Sequence, residues 1–350
     1  MSEHREWIFV GCYTGESGGE GEGIAMLRRD PASGSLDRVG VAARTPSPSF
    51  LAQHPTRSVL YAANELTEGT VSAFAVAPDA TLTLLATRAT GGEHPCHLAV
   101  TADGRFLLTA NYSSGSVSVH PLDADGVIGE RTDLLGLQGS GPVADRQAGP
   151  HAHMVLPDPF GPDVLISDLG SDTVWRTRLD PVAGRLALPV PAIEAAAGTG
   201  PRHLRRTGDG TFLVSGELSA TLNWYRPGAG GALEAGGAVP ASTIDGANLP
   251  SELVIGADGR FVYLANRGPN TVSAYAWDGA GAELIAEVPT GGDWPRHLAL
   301  LSDHLYVANE RSHTVTTFRI DPDTGLPGMQ GDPLGAPSPT CIVRWNPGKS

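Results

Sequence analysis

Arginines, histidine and glutamates recur at matching places along this chain. His151, Arg202 and Arg296 each directly follow a proline, while Glu217, Arg267 and Glu310 each close a short apolar run further on. Planar guanidinium groups suit carboxylate or phosphate. A glutamate or histidine set among them offers a general base. Such a set therefore fits the binding and proton-transfer chemistry of an anionic substrate, provided that the fold gathers it.

The phrase that carries these residues is repeated. PSFLAQHPTRSVLYAANEL starts at Pro48, PCHLAVTADGRFLLTANYS at Pro95, PHAHMVLPDPFGPDVLISDLG at Pro150, PRHLRRTGDGTFLVSGELS at Pro201, PSELVIGADGRFVYLANRG at Pro250 and PRHLALLSDHLYVANERS at Pro295. A seventh copy is split between PTCIVRW at Pro339 and WIFVGCYTGE at Trp7. The prolines lie 47, 55, 51, 49, 45 and 44 residues apart. That period marks a stacked or radial array. Runs such as SVLYAA, FLLTAN and FVYLAN read as strands, with TADGR and GADGR as hairpin turns. Each copy continues into a third run (TVSAFAV, TLNWYRP, TVTTFRI) and a looser fourth, often with Gly-x-Leu. Four antiparallel strands per unit and seven units predict an all-β, seven-bladed β-propeller. It forms one domain over 1–350, whose last blade is completed by residues 7–45, so that N-terminal strands join the C-terminal strand.

In such a ring the first strand of every blade lines the channel. The residue after each proline (Ser49, Cys96, His151, Arg202, Ser251, Arg296, Thr340) should lie beside the one closing the second strand (Glu65, Tyr112, Leu169, Glu217, Arg267, Glu310, Tyr13). His97, His203 and His297 sit one position further on, and a strict two-residue alternation turns them away as blade-packing groups. His153 shares the face of His151. The longest interval inserts GLQGSGPVADRQAGPHAH, a loop that would carry Arg146 and Gln147 over the channel mouth.

Composition narrows the partners. A net charge of -14, with 24 Lys+Arg against 38 Asp+Glu, argues against nucleic acid or an anionic membrane as partner. No apolar run is long enough to span a bilayer and the N-terminus has no signal-peptide pattern, which predicts a cytoplasmic protein. Cys12, Cys96 and Cys341 read as buried thiols rather than a disulfide framework. No His/Asp/Glu spacing reads as a metal site, and no cofactor is expected. The repeat is compatible with a monomer or a dimer.

At FVGCYTGESGGEGEGI, GSGPVADRQAGPHAH, GTGPRHLRRTGDGTFLVSGEL and FVYLANRGPNTVSAY the chain resembles the seven-bladed lactonase family, which includes propeller-type bacterial 6-phosphogluconolactonases and a fungal muconate lactonizing enzyme. The resemblance runs from Trp7 to Trp345. It implies a lactone-directed hydrolase with catalytic His151 (PHAH), Arg202 (GPRHL), Glu217 (SGEL) and Arg267 (ANRG), and a small anionic lactone as substrate. Arg146, His153, Arg296, Glu310 and Tyr13 would bind it. The alternatives are a muconate-type cycloisomerase and a non-catalytic propeller that binds a metabolite or a protein. One departure stands out: several blades carry Ala-Asn before the ring residue, whereas Glu217 follows Ser-Gly.

Overall fold

The computed structural model describes residues 6–229 and 232–347. Its strands form seven antiparallel sheets arranged as the blades of a propeller. The chain begins inside the closing blade, with β1 (Glu6–Cys12), β2 (Ile24–Arg29) and β3 (Leu36–Ala43). Blade 1 holds β4 (Pro48–Gln53), β5 (Val59–Asn64), β6 (Thr70–Val76) and β7 (Leu82–Ala89), and blade 2 holds β8 (Pro95–Val100), β9 (Phe106–Asn111), β10 (Ser116–Pro121) and β11 (Asp133–Gly136). Blade 3 is built from β12 (Ala152–Pro157), β13 (Asp163–Asp168), β14 (Thr173–Asp180), the two-residue β15 (Arg185–Leu186) and β16 (Val190–Glu194). The extra strand β15 is a departure from four per blade. Blade 4 runs β17 (Pro201–Arg206), β18 (Phe212–Gly216), β19 (Thr221–Pro227) and β20 (Leu233–Pro240). Blade 5 runs β21 (Leu249–Ile255) to β24 (Ala282–Pro289) through β22 (Phe261–Arg267) and β23 (Thr271–Trp277). In blade 6 the strands are β25 (Pro295–Leu301), β26 (His304–Asn309), β27 (Thr314–Ile320) and β28 (Pro327–Gly335), and β29 (Pro339–Trp345) is the inner strand of blade 7. β29 pairs antiparallel with β1, Trp7 opposite Trp345, so the two ends of the chain close the ring.

The apolar residues of the repeat pack between blades. Seven buried clusters form, one at each blade–blade contact; Leu213 and Trp224 of blade 4, for example, meet Leu253 and Tyr275 of blade 5. Burial of this kind contributes about 25 cal/mol per Å² of apolar surface removed from water. Second-strand tyrosines add directed bonds. Tyr61, Tyr263 and Tyr306 each donate a hydroxyl to a turn carbonyl of the next blade (Gly126, Gly325 and Gly34, at 2.6, 3.0 and 2.7 Å). Gly34 and Gly325 open the Gly-x-Leu or Gly-Leu motifs and have φ of 72° and 73°, where a side chain would be strained.

The inner hairpins carry a shared irregularity. Pro48 pairs with Asn64 and Phe50 with Ala63, so Ser49 is bulged out; Cys96, Arg296 and Thr340 occupy the same place in their blades. A bulge re-aims its residue and bends the strand. In blades 4 and 5 it contains Arg202–His203 and Ser251–Glu252. In blade 3 Ala152 pairs with Asp168 and Met154 with Ser167, so the bulged residue is His153. His151 thus occupies the place that precedes the proline elsewhere. Leu169 N–H donates to its carbonyl as Tyr112 N–H does to His94 and Glu310 N–H to Trp294. The equation of His151 with Arg202 is corrected by two residues: His153 takes the ring position and His151 stands above it at the rim.

The Ser-Gly departure in blade 4 has a steric cause. A Cβ at Gly216 would lie 2.8 Å from Asn223 Nδ2. Blades 1 and 5 put the amide on the second strand and a hydroxyl on the third (Asn64 with Ser72, Asn266 with Ser273). Blade 4 reverses the arrangement, with the amide on β19.

Candidate active site

Glu217 is the centre of the most charged cluster at the channel mouth. Its N–H donates to Gly200 O at 2.9 Å, which fixes the backbone just past β18. Three guanidinium groups converge on the carboxylate: Arg146 at 2.6 Å from Oε1, Arg267 at 2.6 Å from Oε2 and Arg202 at 3.1 Å from Oε2. Glu217, Arg202 and Arg267 are buried (3%, 2% and 6% exposed). Burial by itself would push the Glu217 carboxyl up, but Arg267, Arg202 and Arg146 outweigh it and hold it down at about 2. Burial, joined by Arg267, brings Arg202 down to about 10 despite Glu217, which leaves it charged at neutral pH.

Arg202 is close to Glu217 without a well-formed hydrogen bond. Neither its Nε nor its Nη1 has a hydrogen-bond partner among the described residues, although both are buried. Buried N–H groups left in that state are uncommon and call for an explanation. Arg267 is held better: Nε donates to Leu249 O at 2.9 Å, and its guanidinium lies over the Trp294 ring.

The inserted loop delivers Arg146 from outside the ring. Gln147, fully buried, donates through Nε2 to Leu169 O and to Asp172 Oδ1, both at 2.8 Å, while its Oε1 accepts from Val143 N–H at 3.1 Å. The adjacent Arg146 thereby reaches Glu217 and the Tyr112 hydroxyl, the latter at 3.2 Å. Tyr112 in turn stacks on His151, with ring centroids 4.5 Å apart. His151 Nδ1 lies 3.0 Å from Tyr112 O, and a carbonyl can only accept, so Nδ1 carries the proton and Nε2 the lone pair. The His151 backbone N–H donates to Asp168 Oδ1 at 2.7 Å. Asp168 takes the place where Asn64, Asn111, Asn266 and Asn309 close their second strands. The Asp in LISDLG was the available signal for this positioning residue, and sequence reasoning missed it.

Arg296, Glu310 and Tyr13 form a separate cluster. Arg296 lies 3.6 Å from Glu310 Oε2 and 3.8 Å from Glu65 Oε2, and it bonds the Tyr13 hydroxyl, which donates to Glu65 Oε1 at 2.8 Å. Burial would lower the Arg296 pKa, yet Tyr13, Glu310 and Glu65 raise it. Arg296 already has two carboxylates and does not join the arginines at Glu217.

The histidines expected to turn outward do the opposite. His97 and His203, from blades 2 and 4, lie 5.5 Å apart, and Phe50 of blade 1 contacts both, together with His297 of blade 6. Side chains from such distant blades meet only near the axis. The bulges are the reason: they break the two-residue alternation, so consecutive residues both face inward. His153 joins this layer, 5.1 Å from His203 and 5.6 Å from Tyr112. At its centre Glu252, fully buried, accepts from His203 at 3.0 Å and Arg205 at 2.8 Å, with His297 at 3.5 Å. Burial drives His203 and His297 down to about 4 and holds His97 and His153 well below their ordinary value. Among the described residues these groups do not assemble into a metal-ligating set. Glu252 directly follows the ring residue in PSEL, a place that strict strand alternation turns away from the channel. The three cysteines are buried and unpaired. No helix among the described residues is long and apolar enough to cross a membrane.

Comparison with known proteins places this geometry. The chain matches the lactonase, 7-bladed β-propeller family over residues 7–344. It is 30% identical to the 6-phosphogluconolactonase of Bacillus subtilis over 95% of this chain and 97% of that protein. The 6-phosphogluconolactonase of Formosa agariphila is 28% identical over 91% and 93% of the respective chains. The solved periplasmic gluconolactonase of Pseudomonas aeruginosa superposes with a TM-score of 0.89 at 29% identity, covering 97% of this chain and 99% of that one. With an inner mouth built on the same repeat from end to end, the chain belongs to the seven-bladed β-propeller lactonase family.

Proposed function

We propose that the chain hydrolyses a sugar-derived, phosphorylated lactone in its central pocket, with 6-phosphoglucono-δ-lactone the first substrate to test. The observation that carries this reading is Arg202, buried at the channel mouth with Nε and Nη1 that make no hydrogen bond among the described residues, although Nε lies in ion-pair range of Glu217. They suit a carbonyl oxygen that becomes an oxyanion, for which one preorganised donor is typically worth about 3 kcal/mol. The names of its relatives support the same reaction class.

The base is either Glu217 or His151. A carboxyl held at about 2 by three arginines is too weakly basic to take a proton efficiently near neutral pH. His151 has its Nδ1 proton committed to a carbonyl and its Nε2 lone pair available. In the proposed reaction His151 Nε2 takes a proton from water as the water oxygen bonds to the lactone carbonyl carbon. Arg202 holds the resulting oxyanion. The ring C–O bond then breaks, and His151 returns the proton to the leaving alkoxide, giving the open hydroxy acid. Arg146 and Arg267 hold the phosphate, and Glu217 keeps the guanidinium groups together until the substrate arrives. Arg296, already flanked by two carboxylates, is released from its expected part in anion binding.

The test is hydrolysis of freshly prepared 6-phosphoglucono-δ-lactone against its spontaneous opening, with Arg202→Ala and His151→Ala alongside. Acceleration by the native protein and its loss in both variants is the expected result. No acceleration, or full activity in Arg202→Ala, would sink the proposal.

A further inference from the structure

The far side of the mouth is built from acceptors, and their state points to a ligand group that donates. Glu65 Oε2 and Glu310 Oε2 are buried and have no hydrogen-bond partner among the described residues. Arg296 lies between them at 3.8 and 3.6 Å, within ion-pair range but beyond a hydrogen bond. Beside them, Ser49 Oγ and Thr340 Oγ1 are equally unpartnered on side chains that are 3% and 2% exposed. Both residues occupy the bulge of an inner hairpin, the place that holds arginine in blades 4 and 6. In blades 4 and 6 the bulged arginine meets the residue that closes the second strand: Arg202 meets Glu217 and Arg296 meets Glu310. Ser49 and Thr340 hold this bulged place in blades 1 and 7, where the second strands close at Glu65 and Tyr13. A cleft of about 440 Å³ lined in part by Tyr13, Glu65 and His94 reaches this side of the mouth.

We infer that Glu65, Glu310, Ser49 and Thr340 form a polyol subsite, which accepts hydrogen bonds from the hydroxyls of a sugar lactone whose anionic group sits on the arginines across the mouth. This rests on the proposed lactonase reading and names its substrate class. Two carboxylates against one guanidinium leave this side with a net negative charge. A second carboxylate, as in a muconate-type dicarboxylate, would meet repulsion here, whereas neutral hydroxyls would satisfy every orphan acceptor. Hydrogen bonds to charged groups are the stronger kind, and each carboxylate contact is worth about tenfold to a hundredfold in affinity. Specificity then comes from unpaired polar groups that only the hydroxylated ligand can satisfy.

Calorimetric titration of the intact protein with sorbitol 6-phosphate, one phosphate on a chain of hydroxyls, and with adipate, a dicarboxylate without hydroxyls, tests this. The native protein should bind sorbitol 6-phosphate at least about tenfold more tightly than adipate. Glu65→Gln and Glu310→Gln should each lose about tenfold of that affinity and narrow the difference. Ser49→Ala should weaken polyol binding several-fold without lowering the unfolding temperature, because it removes a hydroxyl that bonds nothing in the free protein. A merely structural role would move stability and affinity together. Unchanged sorbitol 6-phosphate affinity in all three variants, or tighter binding of adipate by the native protein, would overturn the inference. The hydrolysis assay keeps the two ideas apart: turnover without polyol discrimination sinks only the subsite, and polyol binding without turnover sinks only the lactonase reading.

Discussion

The two sides of the channel mouth are made by the same repeat and carry opposite chemistry. Around Glu217, three guanidinium groups face one carboxylate, and Arg202 has N–H donors to spare. Around Arg296, two carboxylates face one guanidinium, and the spare atoms are acceptors. The backbone is the same in both: a bulged residue after the proline looks at the residue that closes the second strand. A radial repeat thus lets one frame present a donor-rich and an acceptor-rich wall at one mouth. A ligand with an anion at one end and hydroxyls at the other can use both.

Removal of the central carboxylate is the strongest way to break this contrast. Glu217→Ala leaves three guanidinium groups packed against each other, and loss of one partner from a buried ion pair costs about 3–5 kcal/mol. The unfolding temperature should drop sharply, and added inorganic phosphate should restore much of it by replacing the carboxylate. If phosphate does not help, the cationic wall is not an anion site. Arg202→Ala comes next. It should lower kcat on the lactone by about 10²- to 10³-fold, the range for loss of one oxyanion donor. A change confined to KM would place Arg202 in binding alone.

The floor under both walls makes a prediction about pH. His203 and His297 titrate at about 4 in the fold, pushed down by burial, against about 6.5 in the unfolded chain. A depressed histidine pKa means that the unfolded chain binds the extra protons. Stability from these two residues is therefore complete above about pH 6.5 and is lost as pH falls towards 4, by up to about 3 kcal/mol for each. Glu217 contributes in a lower window: its share is complete above about 4.5 and is lost as pH falls towards 2. The unfolding midpoint should thus begin to fall near pH 6 rather than near pH 4, and His203→Gln should flatten the upper part of the curve. A curve flat down to pH 5 would count against the buried neutral layer.

Much of this arrangement can be read from the chain, because a repeat states its frame several times over. Seven prolines, the Asp-Gly turns and the split seventh copy define the strands, the blade order and the ring closure. The two rings follow from strand alternation, which brings Arg202, Glu217 and Arg267 to one place. Alternation fails at the bulges, which have no single-residue signature. For that reason His203 and His297 face inward, and the proline of PHAH misplaces His151 by two positions. Arg146 is legible as a loop residue near the mouth, but its contact with Glu217 depends on how Gln147 pins the loop, and local pattern does not encode that. The division of the mouth into donor and acceptor walls was hidden for another reason. Arg296 belongs with arginines by residue type, and only its distances to Glu65 and Glu310 reassign it.

The smallest effects concern that loop. Arg146 is one-third exposed on its side chain, so solvent screens its pair with Glu217, and its removal should cost less than that of Arg202. Arg146→Ala should raise KM for the phosphorylated lactone about tenfold with little change in kcat, since a group that holds the ground state and the transition state equally alters binding alone. The rise should shrink for unphosphorylated glucono-δ-lactone, which offers Arg146 no phosphate. Gln147→Ala touches no substrate, yet it frees the loop from Leu169 and Asp172. It should reproduce the same KM pattern in weaker form, a few-fold. Equal KM changes for both lactones would mean that the loop only shields the mouth, and the donor wall would then consist of Arg202 and Arg267 alone.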